Sequence, residues 1–176
     1  MTINYKRWQG LCVFGLGLAL GTAFCMKWME SDLWSNGQLF TILGLELFYP
    51  PAKLEGILSG LDEKVKTILR YHLVFDFAFM AGIYPCICSL CMMGREKIRA
   101  GGLKNLLLVL ASAQMLAWIL DSIENYFLFK WIHNPGLIDN PGLFHSLVII
   151  KWILALSGVL VGLTVFILKR RKPVPG

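Results

Sequence analysis

Asp76, Asp121, Glu124 and Lys151 stand inside otherwise apolar runs of the sequence. A charge in such a run is costly and normally faces a partner or a polar cavity. Asp121, Glu124 and Asn125 fall at i, i+3 and i+4, so one helical face carries all three. Trp118 and Gln114 continue that face toward the N-terminus. His72 precedes Asp76 by one helical turn and shares its face, and His145 lies near the start of the run that holds Lys151. Three carboxyl groups against one lysine leave an excess of acid. A protonated carboxyl, a bound cation or a basic ligand would complete the balance. The chemistry open to such a set is general acid and base work by Asp76, Asp121 and Glu124. His72, Trp118, Asn125, Tyr126, His145 and Lys151 would hold a ligand around them. The bland alternative is a buried salt-bridge knot that fixes helix register.

Four apolar runs must position these groups, at about 8–29, 71–93, 103–131 and 143–168. Each is long enough for an α-helix to cross a bilayer, which takes about 20 residues. Only 16% of the 176 residues are charged, against about 25% in soluble domains. The fold expected is therefore all-α: a single polytopic membrane domain, 1–176, built as a four-helix bundle. The placement of the basic residues gives a topology. Lys6 and Arg7 precede the first run, Arg95, Lys97, Arg99 and Lys104 fill the second connection, and Lys169, Arg170, Arg171 and Lys172 follow the last run. The connection 132–142 has no Lys or Arg. By the positive-inside rule both termini are cytoplasmic, in the plasma (inner) membrane of the cell. The basic balance is then explained by topology and anionic headgroups, and nucleic acid is not expected as a partner. The first apolar run is longer than the core of a secretion signal and is read as a retained helix. At ~1.5 Å per residue, Asp76, Asp121, Glu124 and Lys151 all lie ~6–10 Å to the outer side of their run centres. Three helices thus bring ionisable groups to one level.

The connections carry further expectations. Apolar residues recur at helical spacing over 53–70, which predicts one amphipathic helix lying on the membrane surface or roofing the bundle. The apolar stretch before it, ended by Pro50-Pro51, reads as a linker or part of a lid. Asn134-Pro135-Gly136 recurs as Asn140-Pro141-Gly142, which suits two type II turns. Gly17 and Gly21 have the spacing that lets helices approach closely. The five cysteines avoid the two outer connections, which argues against disulfide-forming chemistry there. They read as packing residues. A metal site is not expected: the bundle lacks the Glu-x-x-His pairs of di-iron proteins, and Lys151 would oppose a cation. No cofactor is expected.

The D-x-x-E-N run at Asp121, Glu124 and Asn125, followed in the last apolar run by Lys151-Trp152, resembles uncharacterised small bacterial four-helix membrane proteins. The layout alone is similar to the EXPERA group, which includes sterol isomerases and the sigma-2 receptor. That likeness implies a long structured first outer loop and acids of the middle helices lining a ligand cavity. No residue correspondence is carried over from it.

The function expected is an intramembrane polar cavity, open to the outer side, that binds a lipid-like or small amphiphilic molecule and transforms it if the carboxylates act as acid and base. Membrane lipid is a partner on any reading, and a homo-oligomer is compatible with it. The alternatives are an accessory subunit with a structural charged knot, or a small proton-coupled transporter working as a dimer. The transporter reading meets an obstacle: the first apolar run carries no Asp or Glu.

Overall fold

A computed structural model describes residues 3–168; the basic run Lys169 to Lys172, used above for topology, lies outside them. The described chain is almost wholly helical. α1 is Ile3–Met29, α2 is Pro51–Ser59, α3 is Glu63–Glu96, α4 is Gly102–His133 and α5 is Pro141–Leu168. Four of these, α1, α3, α4 and α5, are long and apolar enough to cross a membrane. α3 is the central helix and packs against α1, α4 and α5, while α4 also packs against α5.

Close approach between α1 and α3 depends on missing side chains. A Cβ on Gly15 would sit 2.5 Å from the Gly82 carbonyl oxygen, and one on Gly82 would sit 2.7 Å from the Gly15 oxygen and the Ala19 nitrogen. The small residues that matter are therefore Gly15, Ala19 and Gly82. Gly17 and Gly21, expected from their spacing to make a close helix contact, have nothing within 4 Å.

The first connection is a folded cap on one end of the bundle. Trp34–Ser35 pairs antiparallel with Gln38–Leu39. Asn36 (φ 51°) and Gly37 (φ 74°) make the turn between them, in the left-handed region that Asn and Gly tolerate best. The chain then forms one π-helical turn, Gly44–Phe48, closed by the Tyr49 backbone N–H, which donates to the Gly44 carbonyl five residues back at 2.8 Å. Leu33, Phe40, Leu45, Leu54, Leu58 and Leu61 of this cap are buried against Leu69 and Leu73 of α3, Leu128, Trp131 and Ile132 of α4, and Phe144 and Val148 of α5. Trp131 and Phe144 meet with ring centroids 4.8 Å apart.

The connections differ from expectation in two places. The amphipathic stretch 53–70 is not one helix. α2 ends at Ser59, and α3 starts afresh at Glu63, where the Asp62 carboxylate accepts a hydrogen bond from the Val65 N–H at 2.7 Å. Gly60 ends one helix and Asp62 caps the next, so the second half of the stripe is the start of α3. The two Asn-Pro-Gly segments also differ from type II turns, because Gly136 and Gly142 do not take positive φ. Pro135–Leu137 is a short 3-10 turn and Pro141 is the first residue of α5, where a missing N–H costs nothing.

Candidate functional site

The charged side chains of α4 and α5 converge just beneath the cap. Lys151 of α5 is buried, 6% exposed, and its Nζ donates to Asp121 Oδ1 at 2.6 Å. The same Nζ lies 2.5 Å from Glu124 Oε2, close enough for an ion pair although outside hydrogen-bond geometry. Glu124 Oε1 is buried with no hydrogen-bond partner. Asp121 also accepts from the Tyr84 hydroxyl of α3 at 2.7 Å. Asn125 Nδ2 donates to Asp76 Oδ2 at 2.6 Å, which ties α4 to α3. Two bonded sets result, Lys151 with Asp121, Glu124 and Tyr84, and Asp76 with Asn125, and they meet only in that Asp76, Asp121 and Lys151 line one cavity.

A fourth carboxyl joins from the cap. Glu46, in the π-helical turn, places Oε2 3.7 Å from Lys151 Nζ. Burial pushes the Glu46 carboxyl above its ordinary range, opposed by the Lys151 charge and reinforced by that of Asp121. Three carboxyl groups therefore reach Lys151, and a fourth, Asp76, stands in the wall of the adjoining cavity. The sequence reading missed Glu46 because the residues around it have no helical or strand period that would orient it. It also missed Tyr84, which stands eight residues after Asp76 and so about 80° around α3 from it, off the strict face that the spacing picks out.

The other expected site residues lie elsewhere. His72 is buried, but its Nδ1 has no partner, and the charge acting on it is that of Glu30 at the end of α1. One turn of rise carries it past the cluster toward the cap. Tyr126 is 66% exposed; it follows Asn125 directly and so points off the shared face. His145 is exposed and lines a surface groove with Glu46, Tyr49 and Phe144, on the cap side of the cluster. Trp118 reaches the cluster only through Tyr84, with which it stacks at a centroid distance of 6.5 Å. Gln114, one turn farther, does not join the charges either. It donates to the Leu110 carbonyl at 3.0 Å and to the Leu154 carbonyl of α5 at 3.2 Å.

No family model, curated protein or solved structure matches the chain. A cavity of about 270 Å³ adjoins the cluster between α3 and α5. At one end its wall is Glu46, Asp76, Tyr84, Asp121, Lys151 and Trp152. Away from the cap the wall becomes apolar, with Phe79, Ile83 and Ile87 at successive turns of α3 and Ala155, Leu156 and Val159 along α5. Leu156 is 50% exposed, so the seam opens sideways, out of the bundle. Among the described residues no group of three His, Cys, Asp or Glu side chains is set to hold a metal ion. A second cavity of about 540 Å³, lined by α1, α3 and α4, shares the Tyr84 wall from the other side and is almost wholly apolar.

Proposed function

We propose that this chain is a multi-pass membrane protein that binds an amphiphilic, lipid-like molecule in the seam between α3 and α5, with the head of the ligand at the charged cluster. One observation carries the reading: the cavity is polar at the end next to Glu46, Asp76, Asp121 and Lys151 and apolar along the rest of its wall. Its sideways opening suits a ligand that arrives from the hydrocarbon layer. Ligand pockets typically combine an apolar lining with a few convergent polar groups, at volumes of about 300–1,000 Å³. At about 270 Å³ this cavity is just below that range and fits a head group with part of its chain. In this reading α1, α3, α4 and α5 all cross the plasma membrane, the cap 30–62 lies on the outer face, and the connection 97–101 is cytoplasmic with its basic residues. Asp76 and Asp121 hold the head and act as acid and base on it if a reaction follows, with Glu124 behind the wall on Lys151.

Two experiments test this. Native mass spectrometry of the protein extracted in a mild non-ionic detergent should find a co-purifying amphiphile. Leu156→Trp, which fills the half-exposed mouth of the seam, should remove it. Equal retention by wild type and variant, or no retained amphiphile in the wild type, rejects the cavity. A cysteine introduced at Asn140 should be labelled by an impermeant reagent from outside the cell; labelling only from inside would invert the topology.

A further inference from the structure

We propose that the polar end of the seam is built for a cation, so that the ligand is an amphiphile whose head is a single ammonium group with no acidic group beside it. This rests on the amphiphile-binding reading above and names the class of molecule. The first support is the charge inventory. Among the described residues Lys151 is the one base that meets this group of acids, and it is already shared among three of them, at 3.7 Å from Glu46, 2.6 Å from Asp121 and 2.5 Å from Glu124. Asp76 is outside these ion pairs. Its partner is the neutral amide of Asn125, and it forms part of the cavity wall. It is the carboxylate placed to meet a charge arriving in the seam.

The second support concerns one acid of that inventory. Glu124 is fully buried behind the cavity wall and its Oε1 has no hydrogen-bond donor, so hydrogen bonds do not offset the excess of acid beside Lys151. The third is the character of the wall. Phe79, Tyr84 and Trp152 stand beside Asp76 in the same cavity, and the faces of aromatic rings attract ammonium groups. Lys151 Nζ itself lies 5.9 Å from the centre of the Trp152 ring.

The same inventory disfavours the other heads. Lys151 is the only base in the cavity wall, so a phosphate or carboxylate head would meet several acids and one already neutralised lysine. An uncharged head would leave Asp76 without a counter-charge. A hard metal cation wants six or more oxygen ligands closed around it, whereas the ammonium of Lys151 occupies the centre of this cluster.

The test uses the full chain in a non-ionic maltoside at neutral pH, titrated calorimetrically with dodecylammonium, dodecanol and dodecanoate. The wild type should bind dodecylammonium saturably and about tenfold or more tightly than the other two, the factor expected for one charge-assisted contact. Asp76→Asn keeps an acceptor for the Asn125 amide and should weaken dodecylammonium by a similar factor and dodecanol much less. Leu156→Trp should weaken dodecylammonium and dodecanol together. If dodecanol or dodecanoate binds as tightly as dodecylammonium, or Asp76→Asn is indifferent to the head group, the ammonium assignment is wrong and the cavity reading survives. If no probe binds, the cavity reading fails and takes this proposal with it. Should Asp76→Asn not fold, the ranking of the three probes on the wild type decides the question alone.

Discussion

Lys151→Met is the most informative single change, because it removes the only base from a cluster of four acids. Lys151 is 6% exposed and makes contacts of 2.6, 2.5 and 3.7 Å with Asp121, Glu124 and Glu46. Met keeps most of the apolar stem and deletes the charge. Removing one partner of a buried ion pair costs about 3–5 kcal/mol, because the charge left behind has no compensation. For a chain of this size each kcal/mol moves the unfolding midpoint by about 2–4 °C, so a fall of about 6–20 °C is expected. Glu124→Gln is the matched control. It removes one acid from a set with acid in excess and keeps an oxygen for Lys151, so it should cost about 1 kcal/mol or less, by analogy with the median exchange of a hydrogen bond. Thermal unfolding followed by tryptophan fluorescence in a mild detergent measures both. A Glu124→Gln loss as large as that of Lys151→Met would refute the reasoning, since it would mean acid and base are balanced rather than unequal.

Two further outcomes follow from single contacts. Glu46 has its carboxyl pushed above the ordinary value of 4.5 in the folded chain by burial; its contribution to stability is therefore complete below that value and is lost as pH rises through the raised one. Glu46→Gln should abolish this part of the pH slope, about 1.4 kcal/mol per pH unit per proton, in unfolding titrations across that window, and an unchanged slope would contradict it. Leu61, 6% exposed beneath the cap, should not tolerate Asp: an unpaired charge there should cost several kcal/mol and open the connection 33–62 to limited proteolysis, whereas wild-type resistance would mean that the cap does not seal the bundle end.

Much of the bundle was legible because the helical repeat does two jobs. It orients Asp121, Glu124 and Asn125 to one face, and all three are buried. Its rise sets their height, which is why Lys151 meets them across helices. The same arithmetic explains the misses. Tyr126 is one residue beyond Asn125, and a step of one residue turns about 100° around the axis, so its exposure was implicit in the spacing that placed its neighbour inside. His72 shares a face with Asp76 but stands about 6 Å nearer the cap, enough to leave the cluster for the neighbourhood of Glu30. The break between α2 and α3 was hidden because apolar residues keep helical spacing across Gly60, Leu61 and Asp62; the capping pair, not the period, marks it. Glu46 was illegible for a different reason. Its position is set by a single wide turn and by packing of the cap on α5, and neither leaves a periodic signature.

The arrangement of neutral contacts bears on why the charges are there. A salt-bridge knot would be needed if nothing else set the register of α4 against α5. Gln114 already does so, donating across to the Leu154 carbonyl at 3.2 Å. Gly158 makes room for that contact, since a Cβ there would lie 2.6 Å from Gln114 Nε2. Trp131 and Phe144 lock the same two helices at the capped end. The register is thus held above and below the cluster by groups that carry no charge. A single acid would also suffice to neutralise Lys151, yet three acids reach it and a fourth stands in the cavity wall. Buried charges that exceed what pairing needs cost stability, and such excess is characteristic of places where a charged or proton-bearing species is handled. That is the physical reason to read the cluster as a site, and to look for its ligand at the mouth beside Asp76.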